Sequence, residues 1–322
     1  MNRIAQIVVL GSLACGTAWA QDQPQVSRTV SDFHDATGAA EPGRVIATQR
    51  QEDGRTVETH SVVAPSINGG YKTISETERE TIRIDANTVR VVERLFSSWG
   101  GERRLFKMTE EERRTEPGGR ESVVRTISTL GASGQWQVQE RDVEETVLTA
   151  PDKRETRKTM LGIIAGELVP VQQLEETEHR KGNLVEIQRK LHTPAPTGHA
   201  DVLEVQQILV TPTKDGPTTE ERKYSTYVPG GAGSDGELHL VQQRNLSVTT
   251  TPDGSTRTEQ QVQQVNPGAP YDDLRTTTLV VGTSQPLGRR GTNAREEVRV
   301  LDVNGAFPVV WVTVSRGTKE IH

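Results

Sequence analysis

The sequence predicts an all-β protein, a long antiparallel meander of about sixteen strands built from about eight hairpin repeats of roughly 33 residues. Clusters of turn-forming residues recur every 30 to 38 residues. The segments between them alternate polar and apolar residues, which is the period of a half-buried strand. Aromatic residues make up only 4% of the chain and valine is the most frequent apolar residue. The core must therefore consist mainly of β-branched side chains, which suit a pleated sheet.

Residues 1–20 predict a signal peptide. Arg3 supplies a positive charge, residues 4–13 are mostly apolar, and Ala18-Trp19-Ala20 places small residues before a cleavage point. Ten apolar residues are too few to span a bilayer as a helix. We therefore expect an exported protein, periplasmic or extracellular.

Cys15 is the single cysteine and lies within this segment. Lipidation of Cys15 is the alternative to cleavage after Ala20, but Leu13 is displaced by one residue from the position that lipoprotein signals favour. Cleavage after Ala20 leaves a chain without cysteine, which would have no disulfide, no thiol nucleophile and no thiolate metal site.

Residues 21–42 carry proline, glycine and small polar residues without sustained periodicity, so we expect a disordered tether. Residues 43–322 form the predicted β-hairpin repeat domain. Its first set of turns is Glu52-Asp53-Gly54, Asp85-Ala86-Asn87, Pro117-Gly118-Gly119, Pro151-Asp152-Lys153, Lys181-Gly182-Asn183, Lys214-Asp215-Gly216, Pro252-Asp253-Gly254 and Leu287-Gly288-Arg289. A second set interleaves with it at a similar period. A Val-Gln-Gln or Val-Gln-Glu triplet also recurs, starting at Val138, Val171, Val205 and Val241.

Two other architectures compete with the open meander. A β-propeller needs about 40 or more residues per blade, which exceeds the observed period. A closed outer-membrane barrel needs an apolar band on alternate residues. The segment Arg103 to Arg114 carries charges at both alternating positions. On this ground we expect a protein that is not embedded in a membrane.

The segment Ala306 to Val314 is the most hydrophobic stretch after residue 20. We expect it to be a buried closing strand that caps the array, with Trp311 packed over the last hairpin. The alternative is an exposed edge that binds a partner or a second copy of the chain.

The sequence offers no unique catalytic or metal-binding pattern. Gly231 to Gly236 has the spacing of a dinucleotide fingerprint, but a strand rather than a helix is predicted to follow. His179, His192 and His199 could come together only if neighbouring strands align. Acidic clusters such as Glu110 to Glu112 and Glu220-Glu221 recur at similar points of several hairpins, which favours cross-strand ion pairs over a hydrolytic pair. We therefore predict no catalytic residue, no cofactor and no metal.

The charge and the missing motifs limit the function. A net charge of −6 excludes a strongly basic nucleic-acid binder. We expect a structural scaffold or binding surface of the bacterial envelope. Its partner would be an unknown protein or glycan, and Tyr224 and Tyr227 are the candidate residues for contacting that partner. The alternatives are a carbohydrate-active enzyme that uses a carboxylate pair, and an outer-membrane barrel.

Overall fold

The computed structural model describes residues 25–34, 40–52, 54–98, 102–194, 201–229, 231, 236–270, 273–287, 291–302 and 304–321. The predicted signal peptide, Cys15, His199 and Asp53 lie outside these residues. The strands are β1 (Gln25–His34), β2 (Ala40–Glu52), β3 (Arg55–Pro65), β4 (Tyr71–Arg83), β5 (Thr88–Ser97), β6 (Arg104–Thr115), β7 (Glu121–Leu130), β8 (Trp136–Ala150), β9 (Lys153–Ile164), β10 (Glu167–Lys181), β11 (Leu184–Thr193), β12 (Asp201–Pro212), β13 (Pro217–Ser225), β14 (His239–Thr250), β15 (Thr256–Gln264), β16 (Arg275–Pro286), β17 (Thr292–Val300) and β18 (Val309–Ile321).

The eighteen strands form one closed antiparallel barrel. Each strand pairs with its neighbours in sequence, and β1 pairs with β18 over ten residues, from Gln25 opposite Ile321 to His34 opposite Val312. The prediction of an all-β fold is confirmed. The predictions of an open meander and of a propeller are wrong, because the first and last strands, β1 and β18, pair with each other and leave no free sheet edge.

The two ends of the barrel differ in the length of their connections. At one end, called the turn end, neighbouring strands are joined by two to five residues, as at 151–152 and 182–183. At the other, called the loop end, connections reach thirteen residues, between β13 and β14. β1 begins and β18 ends at the turn end, so the described part of the chain begins and ends on the side of the short connections.

A β-bulge lies near the loop end of every even-numbered strand from β4 to β18. The extra, unpaired residues are Ile74, Phe106, Gln139, Val171, Leu203, Val241, Thr277 and Val310. Bulges increase local twist and bend a strand, and they are common at barrel rims. The recurring Val-Gln triplets of the sequence lie within two residues of four of these bulges. The period of about 33 residues is therefore the circuit up and down the barrel wall, not the size of a stacked repeat unit.

Two sequence expectations about the ends of the chain need correction. The predicted tether contains β1 and the start of β2, because the backbone of β1 is hydrogen-bonded on both sides, to β18 and to β2. The hydrophobic C-terminal segment enters β18, which joins β1 instead of capping an array. Trp311 accordingly packs on Phe33 of β1, with ring centroids 5.2 Å apart.

Large side chains are nowhere fully buried in the described barrel. The most buried apolar residues are mainly single valines in the wall, such as Val57, Val92 and Val205. One small cluster forms where the long loop after β13 folds back, with Val228, Val241 and Val265 packed against Leu274. The wall itself therefore depends on hydrogen-bonded closure and cross-strand pairs more than on a central core.

Candidate functional site

Successive side chains of each strand point to opposite sides of the barrel wall. Three pairs of adjacent glutamates show which side is concave. Glu110, Glu175 and Glu220 are 38%, 55% and 36% exposed, whereas their neighbours Glu111, Glu176 and Glu221 are 19%, 22% and 16% exposed. Side chains converge on the inside of a cylinder and diverge on its outside. We infer that the less exposed set faces the lumen, and the paired registers extend this assignment around the barrel.

The lumen wall contains a concavity of about 560 Å³ across β8 to β12. Its lining combines both signs of charge with threonine, glutamine and leucine. The lining residues are Glu144, Thr146, Arg154, Thr156, Lys158, Leu174, Glu176, Glu178, Arg189, Leu191, Glu204 and Gln206. All of them belong to the inward-facing set.

Most inward charges in this region are paired across strands. Asp142 on β8 is only 4% exposed. Lys158 of β9 donates from Nζ to its Oδ2 at 2.7 Å, and Arg125 of β7 approaches the same oxygen at 4.0 Å. On the next strands, Arg189 pairs with Glu176 at 2.5 Å. These pairs fix the side chains against the wall, as predicted for cross-strand ladders.

Some inward charges remain available. Among the described residues, Glu93, Glu140, Glu144 and Lys107 take part in no ion pair. Glu144 lines the concavity beside Arg154 and Lys158. An unpaired carboxylate among paired charges can attract a cation or a polar solute without breaking a bond of the wall.

The opposite half of the lumen has a different character. From β15 through β18 to β3, the inward residues are mostly small or uncharged, such as Thr258, Gly282, Ala294, Ser31 and Ala47. Small side chains leave space inside the barrel. The lumen is therefore charged on one side and open and neutral on the other.

The structure separates most of the candidate residues from the sequence. Tyr224 is half-buried and faces outward near the loop end of β13, whereas Tyr227 is 66% exposed in the following loop. His179 contacts Asp152 at 2.9 Å at the turn end, and His192 lies at the loop end of β11. Six residues of strand, about 20 Å, separate these histidines. The described residues contain no group of three side chains placed to hold a metal ion. A binding role for the two tyrosines stays a prediction.

The acidic clusters cannot work as adjacent catalytic pairs. Glu110 and Glu111, like Glu220 and Glu221, point to opposite sides of the wall and cannot reach one substrate together. The glycine-rich loop is followed by β14, as predicted, and not by the helix that a dinucleotide site needs. The sequence reasoning missed the lumen wall, because membership of that wall follows only from closure.

Comparisons with known proteins support the fold. No family profile and no curated protein matches the chain. Among solved structures, it is similar to OccAB4 of Acinetobacter baumannii (7% identity, TM-score 0.55, covering 93% of this chain and 98% of that one). It is also similar to OccK11 (OpdR) of Pseudomonas aeruginosa (9%, 0.54, 92% and 96%) and to Salmonella typhi OmpF in complex with daunomycin (5%, 0.51, 92% and 97%).

These likenesses establish a porin-like barrel fold. They contradict the expected function as a scaffold or binding surface made of stacked hairpins, because the chain encloses a lumen. They equally contradict the expectation of a protein that is not membrane-embedded, which rested on the charges of single strands and not on the closed wall. They favour the barrel alternative of the sequence analysis. Within the described residues, no helix is both long and apolar enough to cross a membrane.

Proposed function

We propose that the protein is an outer-membrane channel that lets small polar solutes pass through its lumen. The observation that carries the proposal is the topology: an even number of antiparallel strands in a closed barrel, with the start of β1 and the end of β18 at the end of the short turns and the longer connections at the other end. Bacterial outer-membrane barrels share this arrangement, with short periplasmic turns and longer extracellular loops.

Barrel size and lining support conduction. Barrels of 16 to 18 strands are wide enough to leave an aqueous channel. The charged residues on the inner wall of β8 to β12 keep that channel wet and give it a preference among solutes. The predicted signal peptide agrees with export to the envelope.

Planar-bilayer recording of the purified full chain tests the proposal. We expect stepwise conductance, with selectivity set by inward charges. Glu144→Lys should shift the reversal potential in a salt gradient towards anion preference, because Glu144 lines the lumen and is unpaired. The matched control is Glu145→Lys, since the adjacent Glu145 faces outward and pairs with Arg120.

Two results would contradict the channel. One is protein that inserts into the bilayer but carries no current. The other is an equal shift in reversal potential for both variants, which would mean that selectivity does not arise at the inward-facing wall.

A further inference from the structure

One carboxylate stands alone on the neutral side of the lumen. The register that runs from the inward Arg244 through β15 and β16 places Val300, and therefore Glu296, on the inner face of β17. Among the described side chains of β15 to β18, β1 and β2, the only other inward charge is Arg275. Arg275 begins β16, and roughly 20 Å of strand separates it from Gly282, which lies opposite Glu296.

Glu296 is open to the lumen. Its side chain forms no ion pair with any residue that the structure describes. It stays exposed although it faces inward, because its neighbours on that face include Gly282 and Ala294, which leave it uncovered. The adjacent Glu297 points outward and is paired with Arg295 and Arg299. Glu296 is therefore a lumen charge that a solute can neutralise without breaking a contact of the wall.

Two aromatic rings face the lumen beside this carboxylate. Phe33 of β1 and Trp311 of β18 lie on the inner face, are half-buried, and pack on each other with a tilt of 40° between their planes. The indole Nε1 of Trp311 donates to the hydroxyl of Thr313 at 3.1 Å. Because this bond occupies the polar atom of the indole, the pair offers a solute ring surface and no free hydrogen-bond donor.

The carboxylate and the rings lie on either side of a small residue. Glu296, Thr313 and Phe33 are directly opposite one another on three neighbouring strands, so about 10 Å separates the Cα atoms of Glu296 and Phe33. Trp311 lies two residues from Thr313 along β18 and is thus a diagonal neighbour of Glu296, within reach of a long side chain. The short side chain of Thr313 leaves space for a solute between the acid and the rings.

We propose that Glu296, Trp311 and Phe33 form a binding site in the lumen for small organic cations of the alkylammonium or quaternary ammonium class. The carboxylate supplies the opposite charge, and the rings supply the π faces that attract a cation with an apolar surface. This inference rests on the proposed function, because it names a class of solute that would be held on its way through the channel.

The surroundings favour a cation over an anion or a neutral solute. An anion would be repelled by Glu296, which has no counter-ion beside it. A neutral solute could contact the rings but would gain nothing from the charge. On the opposite wall, Glu144 lies beside Arg154 and Lys158, so a cation there would meet two like charges. The neutral side is therefore the better place for an organic cation.

Binding of choline to the folded barrel tests the site. The full chain is prepared in maltoside micelles, which carry no choline headgroup, and saturation transfer from the protein to the choline methyl protons is titrated by NMR to give Kd. The uncharged carbon analogue of choline, in which carbon replaces the nitrogen, is titrated in parallel. Glu296→Gln and Trp311→Leu alter the site. Glu140→Gln is the matched control, since Glu140 is another inward carboxylate without an ion pair and lies on β8.

We expect choline to bind, and Glu296→Gln and Trp311→Leu each to raise its Kd about fivefold. The carbon analogue should bind at least about fivefold more weakly than choline. Glu140→Gln should leave the Kd unchanged. If Trp311→Leu prevents closure of the barrel, Glu296→Gln still tests the site, because it leaves the contact between Trp311 and Phe33 in place.

Three results would overturn the inference. Equal binding of choline and its carbon analogue would show that the site recognises shape and not charge. Equal weakening by Glu140→Gln and Glu296→Gln would mean that choline responds to the total charge of the lumen. A folded Trp311→Leu variant with an unchanged Kd would remove the rings from the site.

Planar-bilayer recording separates this inference from the proposed function. A barrel that conducts but binds choline no better than the carbon analogue refutes the site and leaves the channel intact. A barrel that binds choline through Glu296 but carries no current refutes the channel and leaves the site intact.

Discussion

Asp142 is the most informative position for testing the wall, because it holds a charge at the least exposed polar site of the described lumen. Its side chain is 6% exposed, and that of its partner Lys158 is 21% exposed. Asp142→Asn keeps the shape and removes the charge. Breaking a buried ion pair costs roughly 3 to 5 kcal/mol because one charge stays buried without a partner. Lys158 and Arg125 retain contact with water, so we discount the loss to about 2 kcal/mol.

The assay is guanidinium-induced unfolding of the folded barrel in detergent, followed by tryptophan fluorescence under conditions where refolding is reversible. Lys158→Met alone and together with Asp142→Asn completes a double-mutant cycle, and we expect a coupling of about 1 to 2 kcal/mol. Glu259→Gln is the control, since this half-exposed outer glutamate forms a pair with Arg257 in water. Its unfolding midpoint should match that of the unmodified protein. An Asp142→Asn midpoint that also matches would refute the placement of Asp142 in the converging inner surface.

Three further predictions concern the seam and the turns. Gly216→Ala should prevent assembly of the β13–β14 end of the barrel, because φ is +146° and a Cβ there would lie 1.9 Å from the carbonyl oxygen of Val248. Gel electrophoresis of unheated samples measures the fraction of folded, heat-stable barrel, which should be lost in this variant. Trp311→Ala should cost about 1 to 2 kcal/mol in the same unfolding assay, because the contact with Phe33 joins the two ends of the chain. Asp253→Ala should remove part of the acid sensitivity: hydrogen bonds from neighbouring hydroxyl and amide groups lower the pKa of Asp253, so its contribution is present above about pH 4 and is lost as pH falls further.

Each of these has an internal comparison. Gly182→Ala faces open space with φ of +64° and should be milder than Gly216→Ala. In a Trp311→Ala background, Phe33→Ala should lower the free energy of unfolding only by the amount expected from the buried area of its own ring, since the contact between the two rings is already gone. For Asp253, unfolding midpoints measured from pH 6 to pH 3 should converge for the two proteins at the acid end. Parallel curves would contradict the hydrogen-bonded turn.

The strands and turns were predictable because they depend on local signals. Turns are predicted at Asp253-Gly254 and at Lys181 to Asn183, because these residues tolerate the backbone angles that a turn requires. Both turns lie at the predicted positions in the structure. Strand alternation is also local. The all-β class follows from these signals alone.

Closure was not predictable from the same signals, because it depends on the sum of small twists over eighteen strands and on pairing between residues almost 300 positions apart. Ser31 and Ser315, whose hydroxyl groups lie 2.8 Å apart across the seam, carry no mark of this contact in the sequence. The charges on both sides of β6 were identified correctly. The inference from them failed because it required an apolar band along whole strands. Several aromatic residues lie beside the turns at 66–70, 131–135 and 226–238, and that asymmetry was the available signal that the two ends of the barrel differ.

The magnitudes decide how much of the barrel can lie in lipid. An arginine on the lipid-facing side of an outer-membrane barrel costs roughly 2 to 4 kcal/mol at mid-depth and little near the interfaces. Arg141, Arg157 and Arg295 all face outward in the middle portions of their strands. Full-height insertion would place these three near mid-depth at a combined cost of roughly 6 to 12 kcal/mol, which is comparable to the whole stability of a typical folded domain. Any seating of the barrel in a membrane must therefore keep these arginines away from mid-depth.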